Sequence, residues 1–302
     1  MNIKLFLGNL RYNLGNINQF LVGEGLTIKR RCYYMNKPKH LLFLSLVSAI
    51  LLFLTSFHPI DYVSAEKKSA TAKKMKVEEY FKNREGTFIL HNLKKEKTFV
   101  YNEERANQQF APQSTFKVPN SLIGLQIGAV EDEYTIKYWD GVERELPVWN
   151  QDHTLGSAMR NSVVWYYQDM ARDIGENQME KWVRAISYGN QNISGGIDQF
   201  WLSSSLKISP LEQADFMGDL YKENLPFDKD VMKTVKRMMI QEEGDEFTLY
   251  GKTGQGSGIG WFVGFIESRG QSYSFATNIE GTSTDAKSIT IEIFKKYKII
   301  TE

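Results

Sequence analysis

The chain has 302 residues, of which 42% are hydrophobic and 24% charged, an ordinary globular composition that allows one large domain or two small ones. Its formal net charge of +1 gives no electrostatic argument for a nucleic acid or an acidic partner. The single cysteine, Cys32, excludes a disulfide framework and a thiolate metal site within one chain. None of the histidines has metal-ligand spacing, so the sequence predicts no metal.

The beginning of the chain has the layout of a leader. A nearly continuous apolar run, Leu41–Phe57, follows a basic stretch and precedes a small-residue site that ends at Ala65. We therefore expect a signal peptide over 35–65, cleavage after Ala65, and secretion. Met35 is the expected true start, which makes 1–34 a non-native upstream extension. The alternative is an uncleaved membrane anchor, because the apolar run is only slightly shorter than a bilayer span.

The remaining elements are predicted in chain order. Residues 66–76 are rich in Lys, Ala and Ser and are expected to form a flexible tail before a domain over 77–302. Apolar periodicity predicts helices at Val77–Asn83, Val118–Val130, Gly156–Ile174, Gln178–Ile186, Glu212–Lys222, Lys229–Ile240 and Ser288–Tyr297. Aromatic and β-branched runs predict strands at Thr87–Leu90, Thr98–Tyr101, Thr248–Lys252, Gly260–Ile266 and Ser272–Ile279. This order favours an α/β fold of the α+β type. Its antiparallel sheet forms from N- and C-terminal strands, with a mostly helical inserted subdomain.

The first stretch that points to chemistry is Ser-x-x-Lys, with Ser114 and Lys117 before an apolar run. Positions three apart lie on one face of a helix, so the hydroxyl and the amine point the same way. A serine becomes a strong nucleophile when a neighbouring base takes its proton, and a lysine whose pKa is lowered by burial can be that base. The alternative is an N-cap serine followed by a surface lysine.

A second stretch, Lys252-Thr253-Gly254, lies at the end of a predicted strand. A lysine and a threonine there can bind a substrate carboxylate, and the glycine lets the next backbone N–H approach the substrate closely. A phosphate-binding loop is excluded, because that pattern needs glycine at position 246 and the chain has Glu246. The alternative is a surface lysine before a turn.

Three further stretches contain candidate site residues with plain structural alternatives. Ser162-Val163-Val164 lies inside the predicted helix Gly156–Ile174, where a buried hydroxyl could relay a proton, or where the residues are simply core. Tyr188-Gly189-Asn190 is either a site loop or a tight turn in which asparagine tolerates a left-handed conformation. Phe200-Trp201-Leu202 is a core cluster in which the tryptophan N–H needs a partner when it is buried.

These motifs, taken in order, resemble those of class D β-lactamases, of the penicillin-recognising serine enzyme superfamily. The resemblance covers the chain from about residue 77 to its end. The motifs that carry it are Ser114-Thr115-Phe116-Lys117, Ser162-Val163-Val164, Tyr188-Gly189-Asn190, Phe200-Trp201-Leu202, Lys252-Thr253-Gly254 and Gly260-Trp261-Phe262-Val263-Gly264.

The resemblance implies a serine enzyme that opens β-lactam rings. Ser114 would form the acyl-enzyme, and Lys117 would carry a carbamate made from CO2, with no other cofactor. That carbamate would act as the base in acylation and deacylation and would accept a hydrogen bond from Trp201. Ser162 would pass a proton to the lactam nitrogen. A small β-lactam is the implied partner, with no nucleic acid and, once the leader is cleaved, no stable membrane partner.

The resemblance also implies how the pocket and the substrate site are built. The backbone N–H groups of Ser114 and Gln255 would form the oxyanion hole, while Lys252 and Thr253 would orient the substrate carboxylate beside Gly254. The residues expected to line a dry pocket around Lys117 are Phe116, Val164, Tyr188, Trp201 and Leu202.

The chain departs from the family at one position. The family commonly has an arginine before the last helix as a further carboxylate anchor, and Ala286 occupies that position here, with Lys287 next to it. One expectation is that Ala286→Arg improves the use of penicillins. The alternative is that Lys287 already fills the role, in which case Lys287→Ala loses the anchor.

Three other functions remain open. A β-lactam sensor domain would be acylated without turnover, but such sensors hang from several membrane spans and this chain has one apolar run. A D,D-peptidase shares Ser-x-x-Lys but normally has asparagine at the third position of the inner motif, where this chain has Val164. A secreted binding module explains none of the spaced motifs.

Overall fold

The computed structural model describes residues 72–82 and 84–300. The leader, the upstream extension and the first part of the expected tail lie outside these residues. Nine strands are present in the described part: β1 (Lys73–Lys74), β2 (Gly86–Asn92), β3 (Lys97–Tyr101), β4 (Ile136–Lys137), β5 (His153–Thr154), β6 (Ile240–Glu243), β7 (Phe247–Gly256), β8 (Ile259–Ser268) and β9 (Gln271–Glu280).

Seven of these strands form one sheet in the order β1-β3-β2-β9-β8-β7-β6. All of its pairings are antiparallel except the short parallel contact between β1 and β3. Early strands pair with late ones, because β2 lies directly beside β9. The predicted fold class, an antiparallel sheet formed from both ends of the domain around a helical insert, is confirmed.

Most helices lie between β3 and β6 in the sequence, while α1 precedes β2 and α9 follows β9. They are α1 (Glu78–Phe81), α2 (Glu103–Asn107), α3 (Lys117–Gln126), α4 (Leu155–Arg160), α5 (Val164–Ile174), α6 (Glu176–Ala185), α7 (Pro210–Tyr221), α8 (Lys229–Met238) and α9 (Ser283–Lys296). A 3₁₀ turn, Gln113–Phe116, leads directly into α3. In the described part of the chain, no helix combines the length and the apolar character that crossing a membrane requires.

The sheet separates two hydrophobic clusters. Alternate side chains of a strand point to opposite faces, so Ile89 joins the cluster formed with α3, α5 and α7, while Phe88 and Leu90 join the cluster formed with α9. Every residue of β2 is buried, because the strand is covered on both faces. The face toward the helical insert also contains buried polar residues, among them Lys117 and Gln213, beside the larger cluster.

The prediction of one helix over Gly156–Ile174 is wrong, because the chain forms α4 and α5 with a break between them. Ser162 in that break has φ of +54°. The N–H groups of Ser162 and Val163 close α4 by donating to Met159 O at 3.3 Å and Ala158 O at 2.9 Å. Glycine usually occupies such a left-handed helix end. The sequence has no glycine or proline there, so apolar periodicity could not reveal the break.

The expected tail extends too far along the chain. Lys73 and Lys74 form β1 and pair with Phe99 and Val100 of β3, and Met75 is 3% exposed in the second cluster. The lysine-rich composition suggested solvation, but the backbone of these residues completes a sheet edge while their side chains remain exposed.

Two helix boundaries differ from the prediction by about four residues or more, and the other helix ends differ by about one or two. Helix α3 ends at Gln126, four residues before the predicted end, because residues 127–130 curl into a terminal turn around Gly128. Helix α9 begins at Ser283 rather than Ser288, since Thr282 and Asp285 cap its first turn reciprocally. Asp285 occupies the third helical position, where aspartate is a weaker sequence signal for a capping box than the usual Glu or Gln.

Candidate active site

The nucleophile candidate and its base candidate lie on one turn of backbone. Ser114 belongs to the 3₁₀ turn and Lys117 is the first residue of α3, and Lys117 Nζ donates a hydrogen bond of 2.8 Å to Ser114 Oγ. Ser114 is half-buried at the surface of the cleft, whereas Lys117 has no exposed surface. The predicted pairing of hydroxyl and amine is therefore present in the structure.

Burial is the main influence on the pKa of the Lys117 amine. Desolvation lowers the pKa of Lys117 well below its ordinary value, and the nearby positive charge of Lys252 lowers it further. The ring of Tyr167 lies 5.4 Å from the amine, which is the only ring contact of this lysine among the described residues. Both effects favour the neutral amine, and a neutral amine can accept a proton from the adjacent hydroxyl.

An aromatic cluster forms a buried wall next to Ser114 and Lys117. Phe116 stacks on Trp201 with ring centroids 5.5 Å apart, and its edge contacts Phe200 at 5.0 Å and Tyr188 at 5.6 Å. All four side chains are buried. The structure thus brings together three of the predicted pocket residues, Phe116, Tyr188 and Trp201, and adds Phe200.

The other two predicted pocket residues lie nearer the surface. Leu202 is half-buried and packs against the larger cluster. Val164 is the half-buried first residue of α5, whereas its neighbour Val163 is fully buried. Within this motif the core position is Val163, which belongs to the larger cluster, whereas Val164 is half-buried.

Trp201 contributes a polar atom that lacks a protein partner. Its side chain is fully buried, and Nε1 forms no hydrogen bond. A buried indole N–H normally finds an acceptor, and leaving one without a partner costs about 1–3 kcal/mol. Its backbone oxygen, in contrast, accepts a hydrogen bond of 3.1 Å from the N–H of Gln113. This site therefore has a donor for an additional acceptor group in the dry pocket.

A second lysine, on the sheet, meets a serine in the break between α4 and α5. Lys252 of β7 donates from Nζ to Ser162 Oγ at 2.9 Å and to Thr253 O at 2.9 Å. It is 3% exposed, and burial lowers the pKa of Lys252 to about 7. The left-handed conformation of Ser162 breaks the helical insert at the point where its hydroxyl meets this lysine.

Strand β7 lies directly against the 3₁₀ turn Gln113–Phe116, which we call the nucleophile turn because it contains the candidate nucleophile Ser114. A Cβ atom on Gly254 would come 2.9 Å from Pro112 O and 3.1 Å from Thr115 N, so only glycine allows this approach. Gln255 follows at the mouth of the cleft, and its side-chain Oε1 accepts hydrogen bonds from Ser283 N at 2.9 Å and Ser283 Oγ at 3.2 Å. The Lys-Thr-Gly stretch is thus held between the nucleophile turn and the start of α9.

The sequence interpretation missed a buried polar contact that anchors the nucleophile turn. Gln213 of α7 is fully buried, and its Nε2 donates to Thr115 Oγ1 at 2.7 Å. Tyr188 OH donates to Gln213 Oε1 at 3.3 Å, which joins the pocket wall to the same helix. The available signal was a glutamine at a core position of an amphipathic helix, because buried polar groups need specific partners.

The two residues at the position of the family arginine have different surroundings. The Ala286 side chain is fully buried in the second cluster. Lys287 Nζ donates to Gln241 Oε1 at 2.9 Å and lies 5.6 Å from the centre of the Phe262 ring. Phe262 pairs with Thr253 across β7 and β8, so Lys287 lies on the same sheet face as the Thr253 side chain.

Comparison with known proteins places this fold and site in one class of serine enzymes. Residues 65–297 match the family model for the penicillin binding protein transpeptidase domain. The probable β-lactamase YbxI of Bacillus subtilis strain 168 is 63% identical over 241 residues, which cover 79% of this chain and 90% of that protein. β-Lactamase OXA-48 of Klebsiella pneumoniae is 41% identical over 224 residues, covering 72% of this chain and 84% of the relative.

A solved structure agrees with these relatives. That of the class D β-lactamase BAT-2 is 66% identical, has a TM-score of 0.74, and covers 76% of this chain and 98% of the other. The chain belongs to the class D β-lactamases. It is a serine enzyme that hydrolyses β-lactams, and the expectation from the motif order is confirmed.

Proposed function

We propose that Ser114 is the nucleophile and that Lys117 supplies the base that activates it. The observation that carries this assignment is the 2.8 Å contact between Lys117 Nζ and Ser114 Oγ, with the lysine completely buried. Ser114 Oγ attacks the lactam carbonyl carbon, its proton leaves toward Lys117, and the carbonyl–nitrogen bond breaks to give a serine ester. Water then hydrolyses the ester and frees Ser114.

We further propose that Lys117 carries a carbamate derived from CO2. Two features fit this group: burial favours the neutral amine that reacts with CO2, and the unpartnered Nε1 of Trp201 offers a hydrogen-bond donor in the same buried wall. When present, the carbamate supplies a basic oxygen that can take a proton from a hydroxyl or a water. Phe116 and Trp201 exclude bulk water from this position.

Other residues of the cleft would stabilise the oxyanion, transfer a proton to the leaving nitrogen and bind the substrate carboxylate. The N–H groups of Ser114 and Gln255 receive the developing oxyanion. Ser162 passes a proton to the lactam nitrogen, because Lys252 holds its hydroxyl at 2.9 Å. Lys252 and Thr253 also orient the substrate carboxylate, and Gly254 allows the strand to lie close enough for both tasks.

The proposal is tested by following acylation and turnover in one experiment. Mass spectrometry of the protein mixed with oxacillin is expected to give an adduct of substrate mass that decays while hydrolysed product accumulates. An adduct that persists without product would indicate the sensor function instead. The mecR1 methicillin resistance protein of Staphylococcus aureus is 30% identical, and this chain spans about half of its length.

The location outside the cytoplasm is also a proposal, and it rests on the leader pattern in the sequence. We propose that the signal peptide over 35–65 is removed after Ala65 and that the enzyme is secreted. N-terminal sequencing of protein from the culture medium is expected to begin at Glu66. Protein retained in the membrane fraction with residues 41–57 intact would support the anchor alternative.

Trp201→Phe is expected to slow deacylation by about tenfold or more while acylation stays measurable. Phenylalanine keeps the aromatic packing on Phe116 but removes the indole N–H, whose proposed hydrogen bond holds the base. Stopped-flow acylation and the decay of the acyl-enzyme, with and without bicarbonate, measure the two steps separately.

Trp182→Phe is the matched control for that variant. Trp182 also has a buried, unpartnered Nε1, but it stacks on Phe227 at 4.8 Å and takes no part in the proposed site. Its acyl-enzyme is expected to clear at the wild-type rate. If the Trp201→Phe acyl-enzyme clears as quickly as that of the control, the role proposed for Trp201 is wrong.

Lys287→Ala is expected to raise KM for penicillins, because the Lys287 amine lies over Phe262, on the same sheet face as the Thr253 side chain. A charge-assisted hydrogen bond contributes about 1.5–3 kcal/mol, which corresponds to roughly tenfold or more in kcat/KM. The full burial of Ala286 favours this alternative over the expected gain from Ala286→Arg, since a guanidinium there must leave the core. Steady-state kinetics of both variants decide between the two residues.

A further inference from the structure

The residue immediately before the nucleophile has an unusual backbone. Gln113 has φ of +53°, a left-handed conformation that glycine adopts freely and that costs other residues free energy. Its side chain is nonetheless buried, with 4% exposure. A residue keeps a strained backbone only where the surrounding structure holds it there. The contacts of Gln113 therefore indicate which part of the site depends on this conformation.

Three segments of the cleft meet at the side-chain amide of Gln113. Its Nε2 donates to Ser203 Oγ at 2.6 Å, and Ser257 Oγ donates to the same oxygen at 2.8 Å. The amide also lies against Gly256, since a Cβ atom there would be 2.5 Å from it. We call Gln113, Ser203 and Ser257 the glutamine bridge. It joins the nucleophile turn to the loop after Trp201 and to the turn between β7 and β8.

The position of the bridge relates it to the two proposed oxyanion donors. The peptide between Gln113 and Ser114 contains the Ser114 N–H, so the left-handed conformation of Gln113 sets the direction of that group. Gly256 directly follows Gln255, whose N–H is the other donor. The Gln113 amide therefore packs between the two backbone segments from which both donors project.

We propose that Gln113 is a positioning residue for the oxyanion hole, a role that rests on the proposed function of the Ser114 and Gln255 N–H groups. An oxyanion hole accelerates a reaction because its donors are already aimed at the charge that develops in the transition state. Loosening Gln113 would let both donors turn away. The loss should therefore appear in kcat and in the affinity for transition-state analogues more than in KM.

Gln113→Gly is the sharpest test, because glycine keeps the left-handed backbone available while removing the amide. We expect kcat for a chromogenic cephalosporin to fall about tenfold or more, which is less than the loss of an entire oxyanion donor. The inhibition constant of phenylboronic acid should rise by a similar factor. Relief of the unfavourable φ raises stability, while the loss of the buried amide and its hydrogen bond to Ser203 lowers it, so thermal unfolding is measured alongside to verify that the variant is folded.

Gln191→Gly is the matched control. Gln191 also has a left-handed backbone, with φ of +57°, and lies in the turn after Tyr188 rather than at the nucleophile. Its kcat and its phenylboronic acid inhibition constant are expected to remain at wild-type values. Equal losses in both variants would mean that strain relief alone alters the enzyme, which would overturn the positioning role.

Ser203→Ala removes the acceptor of the Gln113 amide without changing the nucleophile turn. It should lower kcat in the same direction as Gln113→Gly but by a smaller factor, because the packing on Gly256 remains. Wild-type kcat and boronate affinity in both variants would reject the inference. Activity in Ser114→Ala would instead reject the proposed function, so the two failures are distinguishable.

Discussion

Ser114→Ala is expected to abolish hydrolysis and covalent labelling by penicillins. Enzymes that lose their serine nucleophile fall by roughly 10⁴- to 10⁶-fold in kcat, and no other hydroxyl lies at the Lys117 amine among the contacts of the described residues. The fold should remain, because the Ser114 side chain forms no helix cap. The unfolding free energy should fall by only about 1 kcal/mol, for the lost hydrogen bond.

Mass spectrometry after incubation with penicillin measures the labelling, and thermal unfolding checks the fold. Ser121→Ala is the matched control, because Ser121 lies in α3 directly after the turn that contains Ser114, is fully buried and also forms one side-chain hydrogen bond, to Tyr167 OH at 2.9 Å. The control should still form the adduct. An adduct on the folded Ser114→Ala protein would show that another residue is the nucleophile.

The spacing of Ser114 and Lys117 was predictable because both residues lie on one turn of chain, where local geometry decides contacts. The pairing of Lys252 with Ser162 was not predictable in this way. These residues are separated by 90 positions, and they meet only because β7 lies across the helical insert. Resemblance to a family, rather than periodicity, identified both as members of one site.

The break at Ser162 and the backbone conformation of Gln113 could not be predicted from the sequence, for a related reason. Both residues have positive φ without being glycine, at +54° and +53°. Tertiary hydrogen bonds hold them there, to Lys252 for the first and to Ser203 for the second. Local propensity describes the chain without these partners, so it predicts regular structure at the positions where the site departs from it.

The pH dependence of stability provides a separate readout on the buried lysines. The pKa values of Lys117 and Lys252 are lowered in the folded protein, so the unfolded chain binds more protons than the folded one between each lowered pKa and the ordinary value near 10.5. Stability contributed by each lysine therefore rises with pH across that window. For Lys252 the window begins at about pH 7.

Lys117→Met is expected to remove most of the activity while making the protein more stable near neutral pH. Methionine has a similar length and fills the buried space, but it has no group to take the Ser114 proton. A positioned general base contributes about 10²- to 10⁴-fold, and in the proposed mechanism the same lysine serves both acylation and deacylation. Bicarbonate should increase the activity of the wild type and leave that of the variant unchanged.

The stability gain follows from removing a buried amine that must take up a proton when the chain unfolds. The unfolding free energy of Lys117→Met should exceed that of the wild type most at the low end of the pH window, and the difference should narrow toward pH 10.5. Chemical denaturation at a series of pH values measures it. Ser121→Ala is the control, because Ser121 is fully buried in α3 and has no role in the proposed site, so this variant should acylate at the wild-type rate. If Lys117→Met acylates as fast as Ser121→Ala, Lys117 is not the base, whatever the stability of the two variants.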